Sequence, residues 1–265
     1  MKNIISFTFY NWLIETGNLG EGPGLWCPLH IALMVLLFSW MVLCFFIFRK
    51  YKSFALKLTT VLCYVMLFFR IFRMLLLMIS GKESVVGALP WHLCHIMAIV
   101  FPLFFLTKTK KFFLPIVCVT LFGGILTFIF GDYYCYSTLS FLQLESLLLH
   151  FLMPTVVIGV VASGYFEIKV QDFWQIPILL IMLVLYAGLG NYLVDGANFL
   201  YLRENGLPFN LFGSAHFYFT YAILILILSV LFTLPVILNE VHKKNRAKKF
   251  RKSVRQNVVI FLSLW

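Results

Sequence analysis

The sequence predicts an all-α membrane protein, a single bundle of seven transmembrane helices with the N-terminus outside and the C-terminus in the cytoplasm. Of its 265 residues, 62% are hydrophobic and only 12% are charged, and the mean hydropathy is +0.96. Soluble domains are much less apolar, so lipid is expected to be the solvent for most of the surface. Seven apolar runs set the number of helices, and one compact membrane domain is the simplest division of the chain.

Polar or basic residues mark the ends of the apolar runs. We place the membrane domain at residues 28–241, after an extracytoplasmic segment of residues 1–27 and before a basic cytoplasmic tail of residues 242–265. Pro90 suits the first turn of the third helix, because its fixed φ and missing N–H cost nothing there. Gly123 and Gly124 allow a neighbouring helix to approach the fourth helix closely. The seven helices are expected at about 28–48, 54–79, 90–107, 112–130, 141–163, 173–193 and 215–238.

The basic residues predict the orientation of the bundle. With the N-terminus outside, sixteen of the 21 lysines and arginines fall in cytoplasmic segments and three fall outside, while Arg70 and Arg73 lie within a helix. An excess of basic residues on the cytoplasmic side is the general rule for membrane proteins. The formal charge of +11 therefore reflects topology, and no nucleic-acid partner is predicted. The basic tail suits anionic lipid of the inner leaflet, and we expect a multi-pass protein of the cell membrane.

Ionisable and polar side chains within the helices gather in the outer half of the predicted bundle. Since such groups cost several kcal/mol in hydrocarbon without a partner, they should face one another or a wet cavity. A position at the membrane interface explains His30, His92 and His216 equally well, but not His150, which lies well inside its helix. The full set is His30, Arg70, Arg73, His92, Cys94, His95, Glu145, His150, Asn191 and His216.

Cys94 is the candidate nucleophile. It lies in the segment Leu89–His95, shortly after Pro90, where the helix dipole and free N–H groups favour a thiolate. A thiolate beside a base is the requirement for nucleophilic acyl transfer. The remaining cysteines have no such setting. Cys44, Cys63 and Cys118 are expected in the core, and Cys27 and Cys135 can in principle meet on one side of the membrane.

The base for Cys94 is expected to come from another helix. His95 is the next residue and therefore points about 100° away around the helix, and His92 is turned further still. His150 on the fifth helix is the best-placed histidine. Glu145 lies off the face of His150 and can instead pair with Arg70 or Arg73.

Zinc is the main alternative to a Cys/His pair. A combination of histidines with Cys94 supplies suitable ligand types, but the sequence has no His-Glu-x-x-His motif. It also has no second histidine one helical turn from His150 or His216. We therefore predict no metal and no cofactor, and we keep a zinc-dependent lipid hydrolase as an alternative.

Three parts of the chain resemble the YwaF-like family of integral membrane proteins, which includes the animal acyltransferase transmembrane protein 164. They are the segment Leu89–His95, the helix carrying His150, and residues 191–202. The resemblance implies a Cys/His phospholipid acyltransferase, related in fold to seven-span hydrolases of fatty-acid esters. By motif, the nucleophile falls on Cys94 and the histidine on His150, the pair that the residues alone single out.

The hypothesis is transfer of an acyl chain from a phospholipid to a lysophospholipid at the outer leaflet, through a thioester on Cys94 with His150 as base. Asn191 or Asn198 is the candidate donor to the oxyanion. Arg70 and Arg73 either hold the lipid phosphate as bidentate donors or snorkel to the interface. His92 and His95 line the substrate cavity. A non-catalytic protein that binds lipid or solute in the same cavity is the other alternative.

Overall fold

The computed structural model describes residues 26–130, 140–203, 222–234 and 238, and the regular structure in this part of the chain is entirely helical. Five long helices carry most of it. They are α1 (Pro28–Lys50), α2 (Lys52–Ile79), α4 (Phe113–Phe130), α5 (Phe141–Ala162) and α6 (Gln175–Leu193), with the shorter helices α3 (Leu93–Leu106) and α7 (Ala222–Leu234). Short 3-10 turns at Val170–Asp172 and Phe199–Tyr201 precede and follow α6.

The five long helices are long and apolar enough to cross a membrane, so the chain is an integral membrane protein. Each predicted run contains a helix, but α3 has only 14 residues. At 1.5 Å per residue it extends about 21 Å, less than the roughly 30 Å of a bilayer core. The described part of α7 is also short of that length.

The third helix begins later than the sequence suggests. Pro90 was expected in its first turn, but α3 starts at Leu93, and His92 is its extended N-cap. The physical reason is Trp91, which is buried and whose indole N–H donates to the Val86 carbonyl oxygen at 2.7 Å. Burying this ring holds the preceding residues in turns rather than in a helix.

Helices α4 and α5 form the centre of the bundle. Helix α5 packs against α1, α2 and α4 and also contacts α3, while α6 packs on α4. Nearly every residue of α4 is buried, which fits a helix that is apolar on all sides. By contrast, α1 and α2 bury only a narrow face and present large apolar side chains outward, as expected for helices that contact lipid.

The buried face of α2 leads directly to the arginines. Its buried residues recur every three or four positions, which places them on one face of the helix. This face packs against α3 and α5, so the arginines project into the bundle and not toward lipid. The buried residues are Ala55, Thr59, Cys63, Met66, Arg70, Arg73 and Leu77.

Glycines permit two close helix contacts with α5. A Cβ atom on Gly124 would lie 3.2 Å from Pro154 Cδ and 3.5 Å from the His150 carbonyl oxygen, which confirms the expected close approach at this position. A Cβ atom on Gly159 of α5 would overlap Thr59 Oγ1 on α2. The second contact is the tighter one, since real Cβ atoms do not approach that closely.

We expect Gly159→Ala to destabilise the bundle, because the added methyl group must push Thr59 and α2 away. Overpacking of this kind costs about 1–3 kcal/mol. The midpoint of thermal unfolding in detergent micelles measures the loss. Gly188→Ala on α6 is the matched control, since nothing lies within 4 Å of its Cβ position. Equal midpoints for the two variants would contradict the contact.

Candidate functional site

A cavity of about 430 Å³ lies where α2 ends and α3 begins. Helix α5 supplies another wall, and Val194 and Phe199, which follow α6, line it as well. The cavity brings together six of the eight residues that the sequence predicts for the site, although they come from three different helices and an N-cap. The six are Arg70, Arg73, His92, Cys94, His95 and His150.

His150 is buried and its orientation is set by its own helix. Its Nδ1 lies 2.7 Å from the Ser146 carbonyl oxygen, one turn earlier. A carbonyl oxygen can only accept, so Nδ1 carries the hydrogen and Nε2 of the neutral ring is an acceptor. Nε2 is buried and has no hydrogen-bond partner among the described residues. The imidazole is thus held in the tautomer that can accept a proton at Nε2.

Cys94 is the second residue of α3 and is partly buried on the cavity wall. The first backbone bond within this helix runs from the Ile96 N–H to the His92 carbonyl oxygen at 3.0 Å, and the side chain of His92 does not cap the helix. The N–H groups of the first turn therefore have no acceptor within their own helix. They point toward the end of the helix that carries the thiol.

The two arginines are buried, with only 2% of Arg70 and 4% of Arg73 exposed, so they do not snorkel along a lipid-facing surface. Arg73 Nη1 donates to Glu145 Oε2 at 2.7 Å and to the Leu142 carbonyl oxygen at 3.2 Å. The predicted pairing of Glu145 is confirmed, with Arg73 as its partner. Both arginines line the cavity, and the carboxylate of Glu145 balances the charge of Arg73.

Three further polar residues that line the cavity are not among those predicted from the sequence. They are Lys82, Glu83 and Ser84, which follow α2. Partial desolvation raises the pKa of the Glu83 carboxyl group, and the positive charges of Arg73 and Arg70 oppose that rise. Three consecutive polar residues so close to the Leu89–His95 segment were the available signal.

Neither predicted asparagine is among the residues that line the cavity. Asn191 is buried at the end of α6, where its Oδ1 accepts from the Phe199 N–H at 2.6 Å and its Nδ2 donates to the Phe199 carbonyl oxygen at 3.1 Å. Asn198 Oδ1 accepts from the Arg203 N–H at 2.9 Å. Both amides hold the backbone that follows α6.

His30 joins two helices. Its Nδ1 accepts from the Trp26 N–H at 2.9 Å, so Nε2 carries the hydrogen and donates to the Phe128 carbonyl oxygen at 2.6 Å. The buried ring thereby links the start of α1 to the end of α4. His216, the basic tail and Cys135, the possible partner of Cys27, lie outside the described residues.

Among the described residues, no group of three His, Cys, Asp or Glu side chains is placed to hold a metal ion together. His92 and His95 instead contact each other edge to face, with ring centroids 5.4 Å apart.

Comparison with known proteins identifies a family for this chain. No curated protein and no solved structure matches the sequence. The model of the TMEM164 family matches residues 25–234, a range that includes the seven helices of the described residues and every residue that lines the cavity. The chain is therefore a member of the TMEM164 family of membrane proteins.

Proposed function

We propose that this protein is a membrane-embedded acyltransferase in which Cys94 is the nucleophile and His150 is the base. The observation that carries the proposal is their shared cavity, into which α3 and α5 bring a thiol and an imidazole. The hydrogen bond from His150 Nδ1 to the Ser146 carbonyl oxygen supports the role, because it leaves Nε2 to accept a proton. A nucleophile and a base oriented by a third group are the parts that covalent acyl transfer needs.

The reaction proceeds in two steps. In the first, His150 takes the Cys94 proton, the sulfur attacks the carbonyl carbon of a phospholipid ester, and the C–O bond breaks. The departing lysophospholipid oxygen takes the proton back from His150. In the second, His150 removes a proton from the hydroxyl group of another lysophospholipid, whose oxygen attacks the thioester. The C–S bond breaks, and the thiolate recovers the proton.

The surroundings of the pair suit a lipid substrate. Arg70 and Arg73 supply positive charge for a phosphate, and His92 and His95 line the same space. The N–H groups of the first turn of α3 are the better candidates to stabilise the oxyanion, because the Asn191 amide is engaged with Phe199. Asn198 does not line the cavity, so it could donate to the oxyanion only if its loop moved.

We place this reaction in a seven-span bundle with the N-terminus outside and the C-terminus in the cytoplasm, the orientation that the basic residues predict. The membrane domain is then residues 28–241 of a cell-membrane protein, and the cavity opens at the depth of the outer leaflet. In this arrangement the tail, residues 242–265, contacts anionic lipid of the inner leaflet.

An acyl-enzyme trap tests the proposal. Purified protein in lipid vesicles is incubated with a phospholipid labelled in its acyl chain, and the cysteine peptides are analysed by mass spectrometry. We expect a hydroxylamine-labile acyl group on the Cys94 peptide and none on the other cysteines. His150→Ala should lower its rate of formation about 10²–10⁴-fold, the range for loss of a general base. Acyl transfer without a group on Cys94 would overturn the mechanism.

The acceptor is identified in the same system. With an added lysophospholipid whose head group differs from that of the donor, labelled diacyl phospholipid with the new head group appears only if the lysophospholipid accepts the chain, whereas free fatty acid appears if water does. Release of fatty acid at the same rate with and without added lysophospholipid would identify a hydrolase and contradict the transferase.

A further inference from the structure

The end of α6 lies directly against the segment that carries Cys94. Gly190 faces the ring of Trp91, and a Cβ atom at Gly190 would lie 2.5 Å from Trp91 Cδ2 and Cε3. Tyr186, one turn earlier on α6, packs on the same indole with ring centroids 4.6 Å apart. The indole N–H donates to the Val86 carbonyl oxygen. Trp91 therefore sits in a notch that exists only because residue 190 has no side chain.

Asn191, the next residue, acts on the same segment through Phe199. Its side-chain amide accepts a hydrogen bond from the Phe199 N–H and donates one to the Phe199 carbonyl oxygen. The ring of Phe199 contacts His92 edge to face at 5.2 Å and stacks on Trp91 at 6.0 Å between centroids. Asn191 thus holds in place the ring that packs on the N-cap of α3.

We infer that Gly190 and Asn191 are positioning residues for Cys94. Gly190 sets how deeply Trp91 enters the bundle, and Asn191 sets where Phe199 meets His92. Trp91 and His92 are the last residues before α3, so together they fix the position and direction of its first turn. A displacement of about 1 Å between reacting groups can cost 10²-fold in rate, so two residues without a chemical role control the site.

The position of the thiol can be measured without assuming the reaction. N-ethylmaleimide alkylation of Cys94 in the purified full chain is followed across pH by mass spectrometry of its peptide. We expect Gly190→Ala to change the alkylation rate at least about threefold and to move its pH midpoint, because Trp91 must shift. Gly188→Ala, two residues earlier on the same helix and with open space around its Cβ, should match the parent protein.

This pair of variants separates position from stability. Both replace a glycine of α6 by the best helix former, which favours the helix by up to about 1 kcal/mol in each case. Identical Cys94 alkylation profiles for Gly190→Ala and Gly188→Ala would overturn the inference. If Gly190→Ala does not fold, Trp91→Phe takes its place. The smaller phenylalanine ring fits the notch but cannot donate a hydrogen bond to the Val86 carbonyl oxygen. An unchanged Cys94 alkylation profile in Trp91→Phe would also overturn the inference.

Asn191 is tested by graded replacement. Asn191→Asp keeps the acceptor for the Phe199 N–H, whereas Asn191→Ala removes both bonds. We expect acyl-transfer kcat to fall more than KM rises, with the aspartate variant closer to the parent, and equal losses in both variants would contradict positioning. This kinetic test rests on the proposed function. The alkylation test does not rest on it. If Gly190→Ala changes the alkylation profile of Cys94 while Cys94→Ala still transfers acyl chains, the cysteine mechanism is rejected but the positioning role of Gly190 stands.

Discussion

Cys94→Ala is expected to abolish acyl transfer while leaving a folded bundle, because the sulfur that forms the thioester is lost and the side chain is only partly buried. Transfer of a labelled acyl chain between phospholipids in vesicles measures the effect, and the elution profile and thermal midpoint in detergent verify the fold. Of the described residues that line the cavity, Cys94 alone carries a thiol, so its replacement removes the thioester intermediate.

Cys118→Ala is the matched control for this substitution. Cys118 is fully buried in α4 and does not line the cavity. Its replacement by alanine removes one sulfur atom, as Cys94→Ala does. We expect it to retain transfer at close to the parental rate. Parental activity in Cys94→Ala would exclude the cysteine mechanism, and equal losses in the two variants would assign the effect to packing.

Glu145→Ala is expected to produce the largest loss of stability. Its carboxylate is the partner of Arg73 in an ion pair whose side chains are only 1% and 5% exposed. Removing one member of a buried pair leaves the other charge without compensation and costs about 3–5 kcal/mol. A lower thermal midpoint and a lower yield of monodisperse protein in detergent would register the loss.

A double replacement distinguishes the charge from the packing. Arg73→Met combined with Glu145→Leu removes both charges and keeps apolar volume, so the double variant should be more stable than Glu145→Ala alone. Its acyl transfer should still be low, since Arg73 is a proposed phosphate ligand. If the double variant is as unstable as the single one, the ion pair is not the cause.

Much of the fold could be predicted from the sequence, because the length of an apolar run is a local property. The long helices α1, α2, α4, α5 and α6 begin and end within a few residues of the predicted bounds. The close approach at Gly124 and the pairing of Glu145 with an arginine of α2 were also predicted, since both follow from the cost of empty space or unpaired charge in an apolar interior. The structure identifies that arginine as Arg73.

The errors arise where a distant contact outweighs a local preference. Pro90 is a good first residue for a helix, yet burial of Trp91 against α6 delays the start of α3 to Leu93. Other contacts add to the sequence-based interpretation without contradicting it. Both ends of the Asn191 amide bond to Phe199, and Glu83 lines the cavity with the arginines of α2.

The sequence by itself determined that this is a helical membrane protein, and it singled out Cys94 and His150, because hydropathy and the rarity of ionisable groups in apolar helices can be recognised along the chain. Only the tertiary structure decided that these residues share a cavity with Arg70 and Arg73. It also decided that the ring of Trp91 packs directly against Gly190 next to that cavity. The physical reason is that rotation of each helix about its axis depends on which side chains interlock with its neighbours, and these neighbours are far apart in the sequence.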